Sequence, residues 1–279
     1  MDSKKVWFIT GASKGLGLSL VKQLLEAGQY VAGTSRNPAE LHNAVGENPN
    51  FLPLQVDLAN EASVSAAIKT TVDTFKSIDV VVNNAGYGIG GSIEELTDKE
   101  TRDSFDINVF GTLNVVRHVL PYMRAQLSGH IINISSIAGI APATGWAVYG
   151  ATKFAVAGLT EVLAADVKAF GIKVTLVAPG AFRTSFLTPD SLSIAANSID
   201  AYKDVHETHA RYLKMNGTQI GDPEKAAKAM IAVVDEPNPP LYLLLGSDAY
   251  SRAITKVENM VNEFRKWEGL TKSTDYQTV

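Results

Sequence analysis

Val6-Trp7-Phe8-Ile9-Thr10-Gly11-Ala12-Ser13-Lys14-Gly15-Leu16-Gly17 is a strand running straight into a helix. Four consecutive apolar residues read as a strand buried on both faces, and the apolar spacing that starts at Leu16 reads as a covering helix. The glycines between them allow a tight turn in which backbone N–H groups, at the positive end of the helix dipole, can seat a pyrophosphate. Their spacing, Gly-x-x-x-Gly-x-Gly, differs from Gly-x-Gly-x-x-Gly and lacks the Gly-Lys-Ser/Thr ending of a P-loop, which disfavours kinase-type ATP chemistry.

Outward from this turn the same alternation repeats. Short, nearly continuous apolar runs at 6–10, 30–35, 51–56, 80–83, 130–134, 173–178 and 241–245 read as strands. Stretches such as 16–27, 62–75, 99–127 and 146–170 carry helical spacing between them. This βαβα order predicts an α/β, doubly wound parallel sheet with ligands at the carboxyl ends of its strands. Two stretches fall outside it. Residues 185–221 are too long for a plain connection and are expected to form a small helical substrate lid. At the C-terminal end, 253–267 is amphipathic, and 268–279 turns polar and is expected to fray as a flexible tail.

At 279 residues the chain has room for one large or two small domains. No repeat or linker divides it, so a single domain over 1–279 is expected. A content of 46% hydrophobic and 19% charged residues excludes global disorder. With 25 basic against 29 acidic residues, a net charge of -4, there is no basic field for nucleic acid or an anionic membrane. The absence of cysteine removes disulfides, thiolate nucleophiles and zinc-cysteine sites, and makes the cytoplasm the expected compartment. No signal segment or apolar run of about 18 residues stands out, so a soluble, unprocessed chain without a membrane span is expected, and no metal site.

From about residue 5 to 250 the chain resembles the short-chain dehydrogenase/reductase family, and its motifs recur in order. After the glycine turn come Asp57-Leu58, Asn84-Ala85-Gly86 preceded by Asn83, Asn108, Asn133-Ile134-Ser135-Ser136, Tyr149-Gly150-Ala151-Thr152-Lys153 and Pro179-Gly180. The resemblance implies a Rossmann-like fold and, more specifically, a carbonyl reductase, hydroxysteroid dehydrogenase or retinol dehydrogenase-like branch. Tyr149 and Lys153, four apart on a helix, lie on one face one turn from each other. An ammonium beside a phenol favours the ionised form and draws its pKa towards neutrality, which makes Tyr149 a candidate general acid. In the family the catalytic serine lies 13 residues before the tyrosine, which selects Ser136 over Ser135. There its hydroxyl binds the substrate oxygen. By the same resemblance Asn108 holds a water linking Lys153 to solvent. The five histidines, His42, His118, His130, His206 and His209, fall in no motif and are expected on the surface or in loops, which leaves a Ser-His-Asp hydrolase without support.

The resemblance places a dinucleotide along Gly11, Ser13, Lys14, Gly15, Leu16 and Gly17, with Asp57 and Leu58 by the adenine, Asn84, Ala85 and Gly86 along its length, and Pro179 and Thr184 near the nicotinamide. Where an NAD site carries an acid for the ribose 2'-hydroxyl, this chain has Ser35 followed by Arg36, and Lys14 adds a second cation; a guanidinium suits a 2'-phosphate, so NADP(H) is the expected cofactor. The expected reaction interconverts a carbonyl and an alcohol. Two other classes are a non-catalytic dinucleotide-binding sensor, marked by loss of the Ser, Tyr or Lys, all present here, and an epimerase or dehydratase with bound cofactor, whose relatives usually carry a substantial substrate domain. Tyr87, Ile137, Ile140, Trp146, Phe182 and the lid are candidate pocket residues, an apolar set that fits a small apolar ketone, aldehyde, steroid or retinoid. The helices from Lys99 and Trp146 are expected, by resemblance, to build a homodimer or homotetramer.

Overall fold

The computed structural model describes residues 4–276. In chain order its elements are β1 (Val6–Ile9), α1 (Gly15–Glu26), β2 (Tyr30–Ser35), α2 (Pro38–Val45), β3 (Phe51–Gln55), α3 (Glu61–Phe75), β4 (Val80–Asn83), β5 (Gly88–Gly90), α4 (Asp98–Phe105), α5 (Gly111–Gln126), β6 (Gly129–Ile134), α6 (Ala147–Val167), β7 (Ile172–Pro179), β8 (Leu192–Ile194), α7 (Lys203–Lys214), α8 (Pro223–Asp235), β9 (Tyr242–Leu245), α9 (Ser247–Lys266) and α10 (Glu268–Lys272). Seven strands form one sheet in the order β3-β2-β1-β4-β6-β7-β9, parallel throughout. Trp7 pairs with Val31 on one side and Val80 on the other. The winding reverses between β1 and β4, and that switch point opens a crevice at the carboxyl ends of the strands.

The continuous apolar runs are explained by cover on both faces. On one, Trp7 and Ile9 pack with Leu20 and Leu24 of α1, Leu41 of α2 and Met230 of α8. On the other, Phe8 and Ile131 pack with Ile68 of α3, Val119 and Met123 of α5 and Leu163 of α6. Truncating any fully buried one of these large side chains to Ala is worth roughly 2–5 kcal/mol. Helix ends follow local chemistry: Asn60 caps α3 through Ser63 N (3.1 Å), Thr97 and Glu100 form a capping box on α4, and Asp222 caps α8 ahead of Pro223.

Three features depart from the sequence reading. The 99–127 helix is two helices, α4 and α5, joined by a π-helical turn over Asp106–Phe110, a wider turn that accommodates an extra residue and here carries Asn108. The 185–221 segment is not wholly helical: β8 pairs in parallel with β5 as a separate two-stranded sheet, and α7 follows. Helical structure continues into α10 and residues 268–276 are exposed, while 277–279, the end of the expected tail, lie outside the described residues. Among the described residues no helix is long and apolar enough to cross a membrane, and no cluster of three or more metal-ligating His, Cys, Asp or Glu side chains occurs.

His130 and His209 correct the expectation that every histidine is a surface or loop residue: they are 3% and 5% exposed. Thr175 donates its only hydroxyl proton to Pro240 O (3.0 Å), so His130 Nε2, 2.9 Å from the same oxygen, carries the hydrogen. His130 Nδ1 has no partner among the described residues, and burial lowers its pKa from 6.5 to about 4. The unfolded chain therefore binds this proton first, and stability falls as pH drops from 6.5 to 4, by ~3 kcal/mol. Urea unfolding at stepped pH is expected to show this loss and to show it flattened in His130→Val; an unchanged acid limb in the variant assigns it elsewhere.

Candidate active site

The turn between β1 and α1 is stapled to the end of β4. Thr10 Oγ1 accepts from Asn84 N and Ala85 N, both at 3.0 Å, and Asn84 Nδ2 donates back to the carbonyls of Thr10 and Gly11, both at 3.0 Å. Gly11 has φ +66°, and a Cβ there would lie 2.8 Å from Ala85 Cα. At Gly17 a Cβ would lie 2.4 Å from Gly11 O. Only glycine permits this compact cradle, whose backbone donors suit a pyrophosphate.

The crevice is a cavity of about 880 Å³, inside the ~300–1,000 Å³ range of ligand sites. Gly11, Ser13, Lys14, Gly15 and Leu16 line one end, with Ser35 and Arg36 on its rim; Leu58 and Asn84, Ala85 and Gly86 follow, then Ser136, Tyr149, Lys153, Pro179 and Thr184. The cavity thus joins most of the residues singled out in the sequence. Three of the expected catalytic and cofactor-binding residues are not on its wall. Gly17 lies behind the cradle, Asp57 turns its carboxylate to Ala59 N (3.0 Å), and Asn108 is 1% exposed beneath the floor. Lys14, expected beside a phosphate, donates instead to Asp190 O (3.0 Å) in the 185–221 segment. Tyr87, Ile137, Trp146 and Phe182 line the cavity as expected. Ile140 does not; it packs with Ala249 and Ala253 of α9.

Ser136 follows β6 and caps a short 3₁₀ turn, its Oγ accepting from Ala138 N (3.1 Å). Ser135 is turned the other way and donates to Lys153 O (2.9 Å), a structural bond. Tyr149 and Lys153 lie on one face of α6, the ammonium 5.8 Å from the phenol ring centre. The expectation that this ammonium brings the phenol down is not met. Lys153 Nζ donates to Ile134 O (3.0 Å), and burial lowers its pKa to about 8. Burial likewise pushes the Tyr149 phenol up to about 12, with the neighbouring Ser136 hydroxyl acting in the opposite direction. Both groups are driven towards their neutral forms by the same dry surroundings.

Asn108 is held from several sides. Its Oδ1 accepts from Tyr87 N (3.1 Å), and its Nδ2 donates to Tyr87 O (3.0 Å) and Thr152 Oγ1 (3.2 Å). Thr152 in turn donates to Tyr149 O (2.7 Å). This network fixes the turn of α6 that carries Tyr149 and Lys153, and Thr152 sits inside the motif that was read only for its Tyr and Lys. A second buried chain, Asn83 to Asn133 (2.8 Å) and Asn133 to Thr160 (2.9 Å), ties the sheet to the same helix.

At the far end of the cavity the sequence points to the 185–221 segment but not to α9. Phe186, Tyr212, Met215 and Gln219 of the 185–221 segment line it, with Asp248 and Arg252 from the start of α9. That segment is tied down by Glu95, whose carboxylate accepts from Ile199 N (2.9 Å), His206 Nε2 (2.6 Å) and Ser92 N (2.9 Å). The Ile199 N–H first, then His206, hold the Glu95 pKa at about 2.

A doubly wound parallel sheet with a glycine cradle and a Ser, Tyr and Lys on one crevice defines an oxidoreductase built on a dinucleotide-binding fold. The chain belongs to the short chain dehydrogenase family, whose model matches residues 5–193. It is 37% identical over 242 residues to a 3-ketodihydrosphingosine reductase of Bacteroides thetaiotaomicron, covering 87% of this chain and 88% of that one. A short-chain dehydrogenase from Streptomyces avermitilis superposes with a TM-score of 0.91 at 34% identity, over 98% of this chain and 99% of that chain. ElxO, a structure with NADP bound, matches at a TM-score of 0.74 and 28% identity, over 89% of this chain and 100% of that chain.

Proposed function

We propose that the protein is an NADP(H)-dependent reductase that interconverts an apolar ketone or aldehyde with its alcohol. The observation that carries this reading is the meeting of Ser136, Tyr149 and Lys153 in the same cavity as the glycine cradle. Arg36 on the rim, with no acid at Ser35, supports the 2'-phosphate form, as does NADP in ElxO. The reductase from Bacteroides thetaiotaomicron supports a carbonyl substrate.

A bound dihydronicotinamide supplies the hydride. Ser136 donates a hydrogen bond to the carbonyl oxygen, and Tyr149 delivers its phenolic proton to that oxygen as negative charge grows there. Lys153, which carries its proton below a pKa of about 8, stabilises with that charge the phenolate left behind. With both Nδ2 protons and one Oδ1 lone pair engaged, Asn108 keeps its second lone pair for a relay water. Trp146, Phe186 and Tyr212 give the substrate end its apolar character. Exposed Phe110 in the π-turn, and Phe154 and Val162 on α6, support a homodimer or homotetramer through these helices, and the lack of cysteine supports a cytoplasmic setting.

The test is consumption of NADPH, with NADH alongside, against a panel of apolar ketones and aldehydes. Turnover with NADPH that Tyr149→Phe abolishes is expected. Tight nucleotide binding without turnover on any member sinks the reading in favour of a dinucleotide sensor.

A further inference from the structure

The first two turns of α9 bond two separate loops of the cavity wall. β7 ends at Pro179, which pairs with Leu245 of β9, and Gly246 leads from that strand into the helix. Asp248, on the cavity wall, turns back to accept from Ala181 N through its Oδ2 (2.8 Å). Its carboxylate is seated between two glycines. A Cβ at Gly180 would lie 2.2 Å from Asp248 Oδ1, and one at Gly246 would lie 2.6 Å from it, so the seat excludes a side chain at either position. One turn further along the helix, Arg252 donates to Ala141 O. Ala141 N donates to Ile137 O (2.7 Å) and Gly139 N to Ser136 O (2.9 Å), which ties Ala141 to the turn that starts at Ser136. Ile137 is itself buried with Ala249 and Ala253 of α9.

Opposite charges four apart on a helix are placed to pair with each other. Asp248 and Arg252 instead each bond a main-chain group, one in the loop after β7 and one in the loop after β6. Asp248 Oδ1 has no partner among the described residues. A buried carboxylate oxygen without a bond costs stability, which marks a residue retained for more than packing. We propose, resting on the reductase reading, that Asp248 and Arg252 are positioning residues that hold the Ser136 turn and the Pro179–Ala181 turn at one spacing. The hydroxyl that binds the substrate oxygen sits on the first turn, and the stretch expected beside the nicotinamide is the second. Beyond the strand ends α9 bonds both, so its first two turns register the substrate oxygen against the site of hydride transfer. Such register matters because a misplacement of about 1 Å can cost roughly 10²-fold in rate.

Hydrogen exchange on the full chain without nucleotide, read by mass spectrometry, tests the bridge apart from any reaction. Asp248→Ala is expected to speed exchange at 180–184, which Asp248 bonds, and also at 137–141, which it does not. Arg252→Met is expected to do the same in the other direction. In single turnovers of NADPH on the carbonyl panel, each variant is expected to slow hydride transfer by about 10- to 100-fold with NADPH affinity within a few-fold of the parent. The two substitutions together should cost little more than the worse one, because either alone releases the spacing. Asp248→Asn keeps an acceptor for Ala181 N and is expected to stay within a few-fold of the parent. Circular dichroism checks folding, and if Asp248→Ala does not fold, Arg252→Met and Asp248→Asn carry the test. Faster exchange confined to the loop next to each substitution overturns the proposal, as do additive losses in rate. An Asn variant as slow as the Ala variant overturns it too, by showing that the charge itself meets the substrate. A parent that reduces no carbonyl overturns the reductase reading instead, and hydrogen exchange then still decides whether the bridge exists.

Discussion

Tyr149→Phe is expected to lower kcat/KM for carbonyl reduction by about 10²–10⁴-fold, the range assigned to one positioned proton donor. Folding and nucleotide affinity are expected to change little, because the ring keeps its contacts with Trp146 and Phe186 and only the hydroxyl is lost. Steady-state kinetics beside nucleotide titration check this. A residual rate within a few-fold of the parent would move the proton donor elsewhere. Direction matters as well. With the phenol pushed up to about 12, the donor form is present at all ordinary pH, so reduction does not lack its acid, while alcohol oxidation needs the phenolate and is expected to accelerate as pH rises.

Lys153 carries a second consequence, for stability. Its pKa in the fold, about 8, lies below the ordinary 10.5, so between these values the unfolded chain binds more protons and stability rises with pH. Below about 8 the full cost of burying the ammonium applies, ~3 kcal/mol before its bond to Ile134 O is counted. Lys153→Met is therefore expected to be inactive yet up to ~3 kcal/mol more stable at pH 7, with the gain fading by pH 10.5. A constant gain across that range would assign it to better packing. Loss of activity joined to a gain in stability is what a residue retained for its chemistry should show.

The sheet was legible because burial on both faces leaves uninterrupted apolar strands such as 6–9 and 80–82, and their order in the chain gives parallel pairing. The glycine cradle and the Tyr149 and Lys153 face were legible because local geometry alone creates them. Other features depend on distant parts of the chain. The π-turn at Asn108 is stabilised by Tyr87, 21 residues earlier, and Thr152, 44 later, and helical periodicity does not record it. β8 is a strand only because β5 offers it an edge, and three residues are too few to show alternation. The fate of the phenol escaped for a related reason. Spacing puts an ammonium near Tyr149 but says nothing of Ile134 O, to which that ammonium is bonded, or of the dryness that raises one pKa and lowers the other. Asp248 and Arg252 reach the cavity from more than 200 residues beyond the glycine cradle, a distance in sequence that only the completed sheet closes.

Cofactor choice is expected to rest on Arg36. Arg36→Ala is expected to lower kcat/KM with NADPH by about 10- to 100-fold, the worth of charge-assisted hydrogen bonds to a phosphate, and to leave NADH nearly as it was. Arg36 lies on the rim beside Thr34, Ser35 and Asn37, while Glu40 brings a carboxylate to the same rim. Without the guanidinium that carboxylate repels a 2'-phosphate unopposed, so the loss should ease as salt screens it. Ser35 Oγ is 3.2 Å from Asn37 N and 3.5 Å from Ser13 Oγ, which points it along the rim between the strand end and the cradle. Ser35→Asp combined with Arg36→Ala places an acceptor for a ribose 2'-hydroxyl there and is expected to reverse the preference to NADH. Equal losses with both cofactors in Arg36→Ala would show that the side chain only shapes the rim. In that case Lys14 could take over as the phosphate's cation only by releasing Asp190 O, and Lys14→Ala would then be expected to alter NADPH affinity and the anchoring of the 185–221 segment together.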